Sequence, residues 1–356
     1  QIGDGMKLVL DNNNSSTYII DKVTGKKYLD FFTCFAAMPI GYNHPKLMEK
    51  SFLEYIAQHS VNKPANSDLY SEVQATFTNT LFKVAVPEND FKYSFYIEGG
   101  ALAVENALKA SIDWKVRKNI KKGLSENLGT KVLHFKQAFH GRSGYTLSLT
   151  NTDPVKVQYF PKFDWPRVDN PKIIFPIEDN LDDLLVRENN CIAQIEKAFK
   201  DYKDDIACII IEPIQGEGGD NHFRDEFLVK LRNICDENDA MLVFDEVQTG
   251  VGLTGKMWAY QHFSIKPDIL CFGKKMQVCG ILCNERIDEV EDNVFKKSSR
   301  INSTWGGNYT DMVRITKYLE IIEEDNLVEN ARIMGENLHS KLSELQDNFG
   351  VVISNT

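Results

Sequence analysis

The chain has 356 residues, 42% of them hydrophobic, and its 51 acidic and 41 basic residues give a net charge of −10. This length supports a sizeable core and predicts one large domain with a smaller companion. The acidic balance argues against nucleic acid or an anionic membrane surface as a partner. No apolar stretch approaches the length that spans a membrane, so we expect no membrane association.

The seven cysteines are an odd number, and several, including Cys208 and Cys271, lie inside apolar runs that resemble strands. Buried free thiols in a reducing cytoplasm fit this pattern better than a disulfide framework does. Cys279 and Cys283 lack the Cys-x-x-Cys spacing and the histidine partners of a zinc site, so we expect no metal. The predicted location is therefore cytoplasmic.

The first part of the chain predicts a hairpin. Two apolar segments, residues 18–21 and 27–32, are separated by a turn sequence that contains Gly25. Pro45 then begins a segment with helical character. We assign residues 1–65 to the N-terminal segment of a small domain.

From about residue 91, strand patterns alternate with helix patterns. The strand candidates are residues 93–97, 132–135, 206–211, 240–244 and 269–272, and the helix candidates are 101–118 and 224–238. This alternation predicts an α/β fold with a mostly parallel sheet covered by helices on both faces. Residues 66–312 form the predicted large domain. Residues 313–356 begin a smaller α+β domain, with helical periodicity over 313–346 and the start of a strand at 350–353.

Two apolar runs end abruptly in charged residues. The first run, residues 240–244, is followed directly by Asp245. The second run, residues 269–272, is followed by Gly273 and then Lys274. Ligands of parallel α/β sheets bind at the carboxyl ends of the strands, where both residues would lie. An aspartate that pairs with a ring nitrogen and a lysine that forms a Schiff base are the protein groups that pyridoxal phosphate needs. The sequence therefore predicts a pyridoxal-phosphate enzyme.

Each of these residues has a simpler interpretation when considered alone. Lys274 is followed by Lys275, so a surface lysine is the alternative, and Asp245 has the position of a helix cap. The pairing favours the functional interpretation. Gln248, one turn after Asp245, has the chemistry to donate a hydrogen bond to the ring hydroxyl of the cofactor.

Three other segments carry candidate functional groups. Gly100 and Ala101 lie between a strand and a helix, where free backbone N–H groups favour phosphate, although most glycine pairs are turns. Phe139 has an aromatic side chain that can stack on a cofactor ring. Arg142 can bind a carboxylate through two hydrogen bonds, and the alternative is a surface arginine without a function. Glu212 and Glu217 flank a glycine-rich loop that follows an apolar strand, and the alternative is a loop with solvated charges.

A rival motif spans residues 250–257, which nearly match a phosphate-binding loop and would make the chain a nucleotide hydrolase. Met257 stands where the magnesium-binding Ser or Thr is needed. The segment also follows the Asp245 strand directly, with no helix and second strand between them. We therefore favour the pyridoxal-phosphate interpretation.

Taken together, these segments resemble a class III aminotransferase of the ornithine and GABA type, in the fold-type I pyridoxal-phosphate superfamily. The resemblance extends over nearly the whole chain. Within the family, it is closest to enzymes that act on the ε-amino group of L-lysine. The segments that carry it are residues 31–45, 139–146, 160–167, 272–280 and 302–308.

The resemblance implies roles for individual residues. Lys274 forms the Schiff base and, with Asp245, is catalytic. The implied cofactor-binding residues are Gly100, Ala101, Phe139, His140, Glu212, Asp245, Gln248, Lys274, Ser303 and Thr304, and the implied substrate-binding residues are Arg142, Glu217 and Asn302. Thr304 is expected to reach the cofactor phosphate of a neighbouring subunit, which makes the active unit a homodimer.

The implied reaction belongs to lysine catabolism. It moves the ε-amino group of L-lysine to 2-oxoglutarate and yields 2-aminoadipate 6-semialdehyde and L-glutamate. Glu217 resembles a switch residue that lets one pocket accept both substrates. In the family this glutamate pairs with an arginine of a C-terminal domain, and no residue after Thr356 supplies it, so we expect a C-terminal truncation. Another class III ω-aminotransferase and an inactive cofactor-binding fragment are the alternatives.

Overall fold

The computed structural model describes residues 8–10, 14 and 17–349. Its strands are β1 Tyr18–Ile20, β2 Lys27–Leu29, β3 Tyr93–Ile97, β4 Lys131–Phe135, β5 Arg167–Val168, β6 Ile206–Ile211, β7 Ile214–Gln215, β8 Asn221–His222, β9 Met241–Asp245, β10 Ile269–Phe272 and β11 Cys279–Cys283. Its helices are α1 Thr33–Ala36, α2 Lys50–Ser60, α3 Glu72–Thr80, α4 Gly100–Lys121, α5 Gly144–Leu149, α6 Ile177–Asp201, α7 Asp225–Glu237, α8 Tyr309–Glu324 and α9 Leu327–Phe349.

A seven-stranded sheet forms the centre of the molecule, in the order β3-β11-β10-β9-β6-β4-β5. The pairs from β10 through β9, β6 and β4 to β5 are parallel, and β11 runs antiparallel to both of its neighbours. This arrangement confirms the predicted, mostly parallel sheet. The antiparallel pairing of β1 with β2 bears out the hairpin near the start of the chain.

The central strands are apolar on both faces because helices cover both sides of the sheet. Along β9, Leu242 and Phe244 pack in one core cluster, while Met241 and Val243 pack in the other. Helix α7 contributes to the first cluster, and α4 contributes to the second. Alternate residues of a strand point to opposite faces, so an unbroken apolar run is the pattern of a strand buried on both sides.

A buried carboxylate ties the amino-terminal edge of the sheet together. Asp268, directly before β10, accepts hydrogen bonds through Oδ2 from the backbone N–H of Leu242 at 2.8 Å, Arg232 Nη1 at 2.8 Å and Arg286 Nη1 at 3.0 Å. It thereby links β9, α7 and the segment that follows β11. Charge-assisted hydrogen bonds of this kind are stronger than neutral ones. This edge lies opposite the one where Asp245 and Lys274 stand.

The structure also differs from the sequence-based expectations. The helical region predicted over 313–346 is two helices, α8 and α9, separated at Asn326, whose φ of 51° is left-handed. Strand β11 and the long helix α6 were not predicted. The expected strand at 350–353 lies outside the described residues, and the three domain boundaries stay predictions.

All seven cysteines are described as free thiols, and all except Cys34 are buried. No helix within residues 17–349 combines the length and apolarity needed to cross a membrane. Across the described ranges, no three His, Cys, Asp or Glu side chains are grouped so as to bind a metal ion.

Candidate active site

The carboxyl edge of the sheet brings Asp245 and Lys274 to one place. Asp245 is the last residue of β9, and Lys274 follows β10 by two positions. The two strands are parallel neighbours with Cys271 opposite Asp245, so their ends coincide. A cavity of about 440 Å³ opens there, lined by Phe35, Gly100, Ala101, Phe139, His140, Gly141, Arg142, Glu212, Glu217, Asp245, Val247, Gln248 and Lys274. Most of the predicted site residues therefore line one pocket.

Lys274 presents its amine inside this pocket, where Nζ donates a hydrogen bond to Gln248 Oε1. Burial lowers the pKa of Lys274 below its ordinary value, although the negative charges of Asp245, Glu212 and Glu217 oppose that shift. A lower pKa increases the neutral fraction of the amine, and only the neutral amine is a nucleophile.

The adjacent Lys275 points away from this pocket. It is buried, its Nζ donates to the backbone carbonyl of Gln248, and it lines a different cavity. The geometry thus distinguishes two neighbouring lysines that the sequence leaves equivalent.

Asp245 is fixed by a buried histidine. Its Oδ2 lies 2.8 Å from His140 Nδ1, and its Oδ1 accepts the backbone N–H of Val247 at 3.1 Å. Burial alone would lower the pKa of His140, but the hydrogen bond to Asp245 and the charges of Asp245 and Glu212 raise it overall. A carboxylate only accepts hydrogen bonds, so His140 carries its proton on Nδ1. The pair keeps the Asp245 carboxylate oriented in the pocket.

Glu212 stands at the end of the neighbouring strand β6 and faces the same pocket. Burial, reinforced by the charge of Asp245, raises the pKa of Glu212 to about 7, while His140 acts in the opposite direction. Its Oε1 accepts the backbone N–H of Phe139 at 2.8 Å. Glu212 therefore positions the backbone that carries the aromatic ring of Phe139.

The amino terminus of α4 forms another wall of the pocket. Its N-cap is Gly99, at φ 99°, which supplies no side-chain cap. In the described part of the chain, no hydrogen bond uses the backbone N–H of Gly100 or Ala101. Unpaired N–H groups at the start of a 22-residue helix attract phosphate. Together with the amine and the carboxylate, this donor set fits pyridoxal phosphate.

Sequence reasoning missed four residues near this site: Phe35, Gly141, Lys156 and Val247. Only the structure shows why position 141 is a glycine. Its φ is 123°, and a Cβ there would lie 2.8 Å from Thr146 Oγ1. Phe35 lies 65 residues before Gly100, the next pocket residue along the chain, so no local pattern marks it. Lys156 forms an ion pair with Glu217 at the pocket mouth.

Three predicted site residues, Asn302, Ser303 and Thr304, do not line this pocket. Ser67 Oγ donates a hydrogen bond to the backbone carbonyl of Thr304 at 3.0 Å, and Asn302 lines a larger groove of about 660 Å³. Neither Asp245 nor Lys274, the predicted catalytic residues, lines that groove. The roles of Asn302, Ser303 and Thr304 therefore stay predictions.

The rival phosphate-loop interpretation is wrong. Residues 250–258 form a series of turns and bends, and no helix begins at Lys256, as a phosphate-binding loop would require. A Cβ at Gly255 would lie 3.0 Å from Arg332 Cα on α9, so the loop packs closely against that helix.

The fold and the pocket together define a pyridoxal-phosphate enzyme of fold type I. The model of the family "Aminotransferase class-III" matches residues 4–355, and the chain belongs to that family.

Individual relatives agree with this assignment. The L-lysine-epsilon aminotransferase of Mycobacterium tuberculosis is 51% identical over 352 residues, 98% of this chain and 78% of the relative. The enzyme of the same description from Streptomyces clavuligerus is 47% identical over 356 residues, 99% of this chain and 77% of the relative. A solved structure described as lysine aminotransferase from M. tuberculosis in the internal aldimine form superposes with a TM-score of 0.95. It is 50% identical and covers 98% of this chain and 80% of the solved one.

Proposed function

We propose that the chain transfers the ε-amino group of L-lysine to 2-oxoglutarate and forms 2-aminoadipate 6-semialdehyde and L-glutamate. The observation that carries the proposal is the single pocket that contains Lys274, Asp245 and Arg142. The similarity of the chain to L-lysine-epsilon aminotransferases supports L-lysine as the amino donor.

Each pocket group has a defined task in this reaction. Pyridoxal phosphate, when bound, supplies an electron sink for the carbon that bears the reacting amino group. Lys274 would hold the cofactor, and its amine, when free, would move the proton at that carbon through Nζ. The charge of Asp245 would keep the ring nitrogen of the bound cofactor protonated. Phe139 would stack on the cofactor ring, and the backbone N–H groups of Gly100 and Ala101 would bind its phosphate.

Arg142 determines where the substrate lies. L-Lysine reacts at its ε end, so its α-carboxylate extends away from the reacting carbon, toward the pocket mouth. The Arg142 guanidinium carbon lies 5.8 Å from the ring centre of Phe139 at that mouth. A guanidinium binds a carboxylate through two parallel hydrogen bonds, which fixes the direction of the substrate as well as its charge.

An absorbance titration tests the function. Purified chain is incubated with pyridoxal phosphate, then with L-lysine, ornithine or 4-aminobutyrate. We expect a visible Schiff-base band that L-lysine removes, that Lys274→Ala lacks, and that the matched control Lys275→Met retains. A greater reaction with ornithine or 4-aminobutyrate would refute L-lysine as the donor, and a band unaffected by any amine would indicate an inactive fragment.

We also propose that the active unit is a homodimer in which Thr304 reaches the cofactor phosphate of the partner subunit. Thr304 is exposed and lies outside the pocket of its own chain. Several large aromatic side chains are exposed as well, among them Phe31 at 86%, Tyr70 at 92% and Tyr159 at 94%. Large apolar side chains on a surface are typical of an interface.

Mixing two defective chains tests the shared site. Lys274→Ala removes the Schiff base, and Thr304→Ala weakens phosphate binding. In a mixed dimer, one site combines the intact Lys274 of one chain with the intact Thr304 of the other. We expect the mixture to regain activity that neither variant has at low cofactor concentration. A mixture no more active than the Thr304→Ala chain alone would show that the site is not shared.

A cytoplasmic location is a further part of the proposal. It is supported by the seven free cysteines, six of them buried. Cell fractionation that recovered the chain from an oxidising compartment would contradict it.

A further inference from the structure

Two buried imidazole rings, those of His134 and His140, each carry a nitrogen that lacks a protein partner. The residues are 1% and 2% exposed, and within the described ranges neither His134 Nδ1 nor His140 Nε2 forms a hydrogen bond. An unpaired polar atom in the interior is costly, so each of these nitrogens needs an explanation. His140 already holds Asp245, whereas His134 does not line the cofactor pocket.

The sheet brings an arginine to the other nitrogen of His134. His134 on β4 is paired in parallel register with Arg167 on the edge strand β5. Arg167 Nε donates a hydrogen bond to His134 Nε2 at 2.9 Å, and Arg167 Nη2 donates to the backbone carbonyl of Ser148 on α5 at 3.1 Å. A guanidinium has donors only and keeps its charge in proteins. Arg167 is therefore a permanent donor to His134 Nε2.

This contact determines where His134 carries its proton. Because Nε2 accepts a hydrogen bond, the proton of the neutral ring lies on Nδ1. Burial, the charge of Arg167 and the charge of His140 lower the pKa of His134 to about 3. His134 is thus neutral at physiological pH and directs a fixed N–H group into the interior. The effect of His140 on this pKa also shows that the two rings are near each other.

His140 offers the complementary atom. Its Nδ1–H faces Asp245 Oδ2 at 2.8 Å, which leaves Nε2 to be satisfied by another group. Besides His134, the charged groups that act on His140 are Asp245 on β9 and Glu212 after β6, and both raise its pKa against the effect of burial. One water molecule can accept the N–H of His134 and donate to His140 Nε2. Buried waters commonly satisfy polar atoms of this kind.

The charge of His140 matters for the cofactor. A positively charged His140 would offset the negative charge of Asp245, and that charge is what stabilises a protonated ring nitrogen. A donor directed at Nε2 opposes this, because an Nε2 that accepts a hydrogen bond cannot carry a proton. The direction of one N–H group on His134 therefore affects the charge that Asp245 presents to the pocket.

We propose that Arg167 and His134 are positioning residues of the cofactor site, which act through one buried water to keep the His140 proton on Nδ1 and its Nε2 unprotonated, so that Asp245 retains its full charge for the ring nitrogen. The inference rests on the proposed function for the cofactor alone and does not depend on the amine that reacts. Neither residue touches the cofactor, since both act through His140.

Nitrogen NMR of the cofactor-free chain tests the protonation of the two rings. The chain is labelled with 15N-histidine, and His134→Asn and His140→Asn assign the signals. In the wild type we expect only the Nδ1–H form of His134, without titration between about pH 5 and 9. In Arg167→Met, both tautomers of His134 should appear, and the pKa of His140 should rise because the cation and the fixed donor are lost.

Arg167→Gln is the conservative variant, because its side-chain amide nitrogen occupies the position of Arg167 Nε. It keeps a donor without the charge and should retain the Nδ1–H form of His134. The matched control is Arg187→Met, which should leave both histidines unchanged. Arg187 likewise donates to a backbone carbonyl, that of Lys172 at 2.8 Å, and its Nε donates to Asp183 on the same helix.

Binding of two ligands separates a positioning role from a structural one. The ligands are pyridoxamine phosphate and its analogue with a carbon atom in place of the ring nitrogen, and calorimetry gives each Kd. Arg167→Met should raise the Kd of pyridoxamine phosphate by about 3- to 10-fold, which corresponds to a change of up to one pKa unit at the ring nitrogen. The Kd of the analogue should change by less than about twofold, because it has no ring nitrogen to protonate.

Equal weakening of both ligands in Arg167→Met would overturn the inference, because it indicates a structural role. A His134 tautomer that is unchanged in Arg167→Met would overturn it as well, as would a crystal structure without a water within about 3.2 Å of both His134 Nδ1 and His140 Nε2. A wild-type chain that binds neither ligand would instead refute the proposed function. The NMR experiment would still report on the two histidines, because it needs no cofactor.

Discussion

At the scale of single residues, two adjacent carboxylates at the end of β9 have opposite tasks. Asp245 faces the cofactor pocket, whereas Glu246 faces the protein interior. The Glu246 carboxylate accepts hydrogen bonds from Thr249 Oγ1 at 2.7 Å and from the backbone N–H groups of Ala259 at 2.8 Å and Tyr260 at 2.7 Å. Glu246 thereby fixes the segment that follows Asp245.

Glu246 should make stability depend on pH. Burial raises the pKa of Glu246 from 4.5 to about 7, so the folded chain retains a proton that the unfolded chain loses in this range. Its contribution to stability is complete below pH 4.5 and is lost as pH rises through 7. We expect the free energy of unfolding to fall by about 2 kcal/mol more in the wild type than in Glu246→Gln between pH 5 and 7.

Urea denaturation at several pH values measures this difference. The control is Glu196→Gln, because Glu196 is exposed on α6 and should follow the wild type. Parallel curves for the wild type and Glu246→Gln would contradict the prediction.

The sequence predicted the residues whose chemistry is unusual for their position. Asp245 and Lys274 stood out because charged groups end apolar strands there. Lys156 did not, because what brings it to the pocket mouth is a contact with Glu217, which lies 61 residues further along the chain. Only the folded chain shows which charges face one another.

At the scale of elements, local pattern failed to predict strand β11, as well as the two-residue strands β5, β7 and β8. Strand β11 lies between β3 and β10 and pairs antiparallel with both. Its sequence contains Gly280, a residue that usually weakens a strand, and two cysteines. Helix α6 was missed for a different reason: many charged residues separate its few buried positions.

Gly280 should be essential for close packing of β11. A Cβ at this position would clash with the backbone carbonyl of Phe95 on β3 and lie 2.8 Å from the Phe272 ring on β10. We expect Gly280→Ala to lower the free energy of unfolding by about 1–3 kcal/mol, because the strands must separate to accept a methyl group. Thermal or urea unfolding measures the loss.

The same substitution at Gly335 is the matched control. Gly335 lies within α9, where an added Cβ meets nothing within 4 Å. Alanine favours a helix by about 0.5–1 kcal/mol relative to glycine, so Gly335→Ala should stabilise the chain. Destabilisation by both substitutions would show that contact with β3 is not the cause.

At the scale of the whole molecule, the cofactor should contribute to stability. The pocket draws on β6, β9, α4 and the segment after β10, so it exists only when the sheet has formed. A ligand that binds only the folded state at 100 times its Kd stabilises it by about 2.7 kcal/mol. We expect pyridoxal phosphate to raise the Tm of the wild type and of Lys275→Met, and to raise that of Lys274→Ala less. Equal shifts in all three chains would contradict a covalent role for Lys274.

The overall architecture was predictable because the strand–helix alternation leaves few topologies open. The surroundings of the pocket mouth were not, since Phe35 and Lys156 reach it from segments without regular periodicity. The sheet thus determines where the catalytic residues lie, while the loops determine which substrates the pocket accepts.

The buried carboxylate of Asp268 has a consequence for how such a chain can change over generations. It joins β9, α7 and the segment after β11 at the edge of the sheet opposite the pocket. Mutations that alter the pocket mouth leave this tie intact, so the chain can explore new amines and keto acids without first losing its fold. Laboratory evolution toward a different donor should therefore accumulate changes in the loops around Phe35, Arg142 and Lys156, while Asp268 and its two arginines remain unaltered.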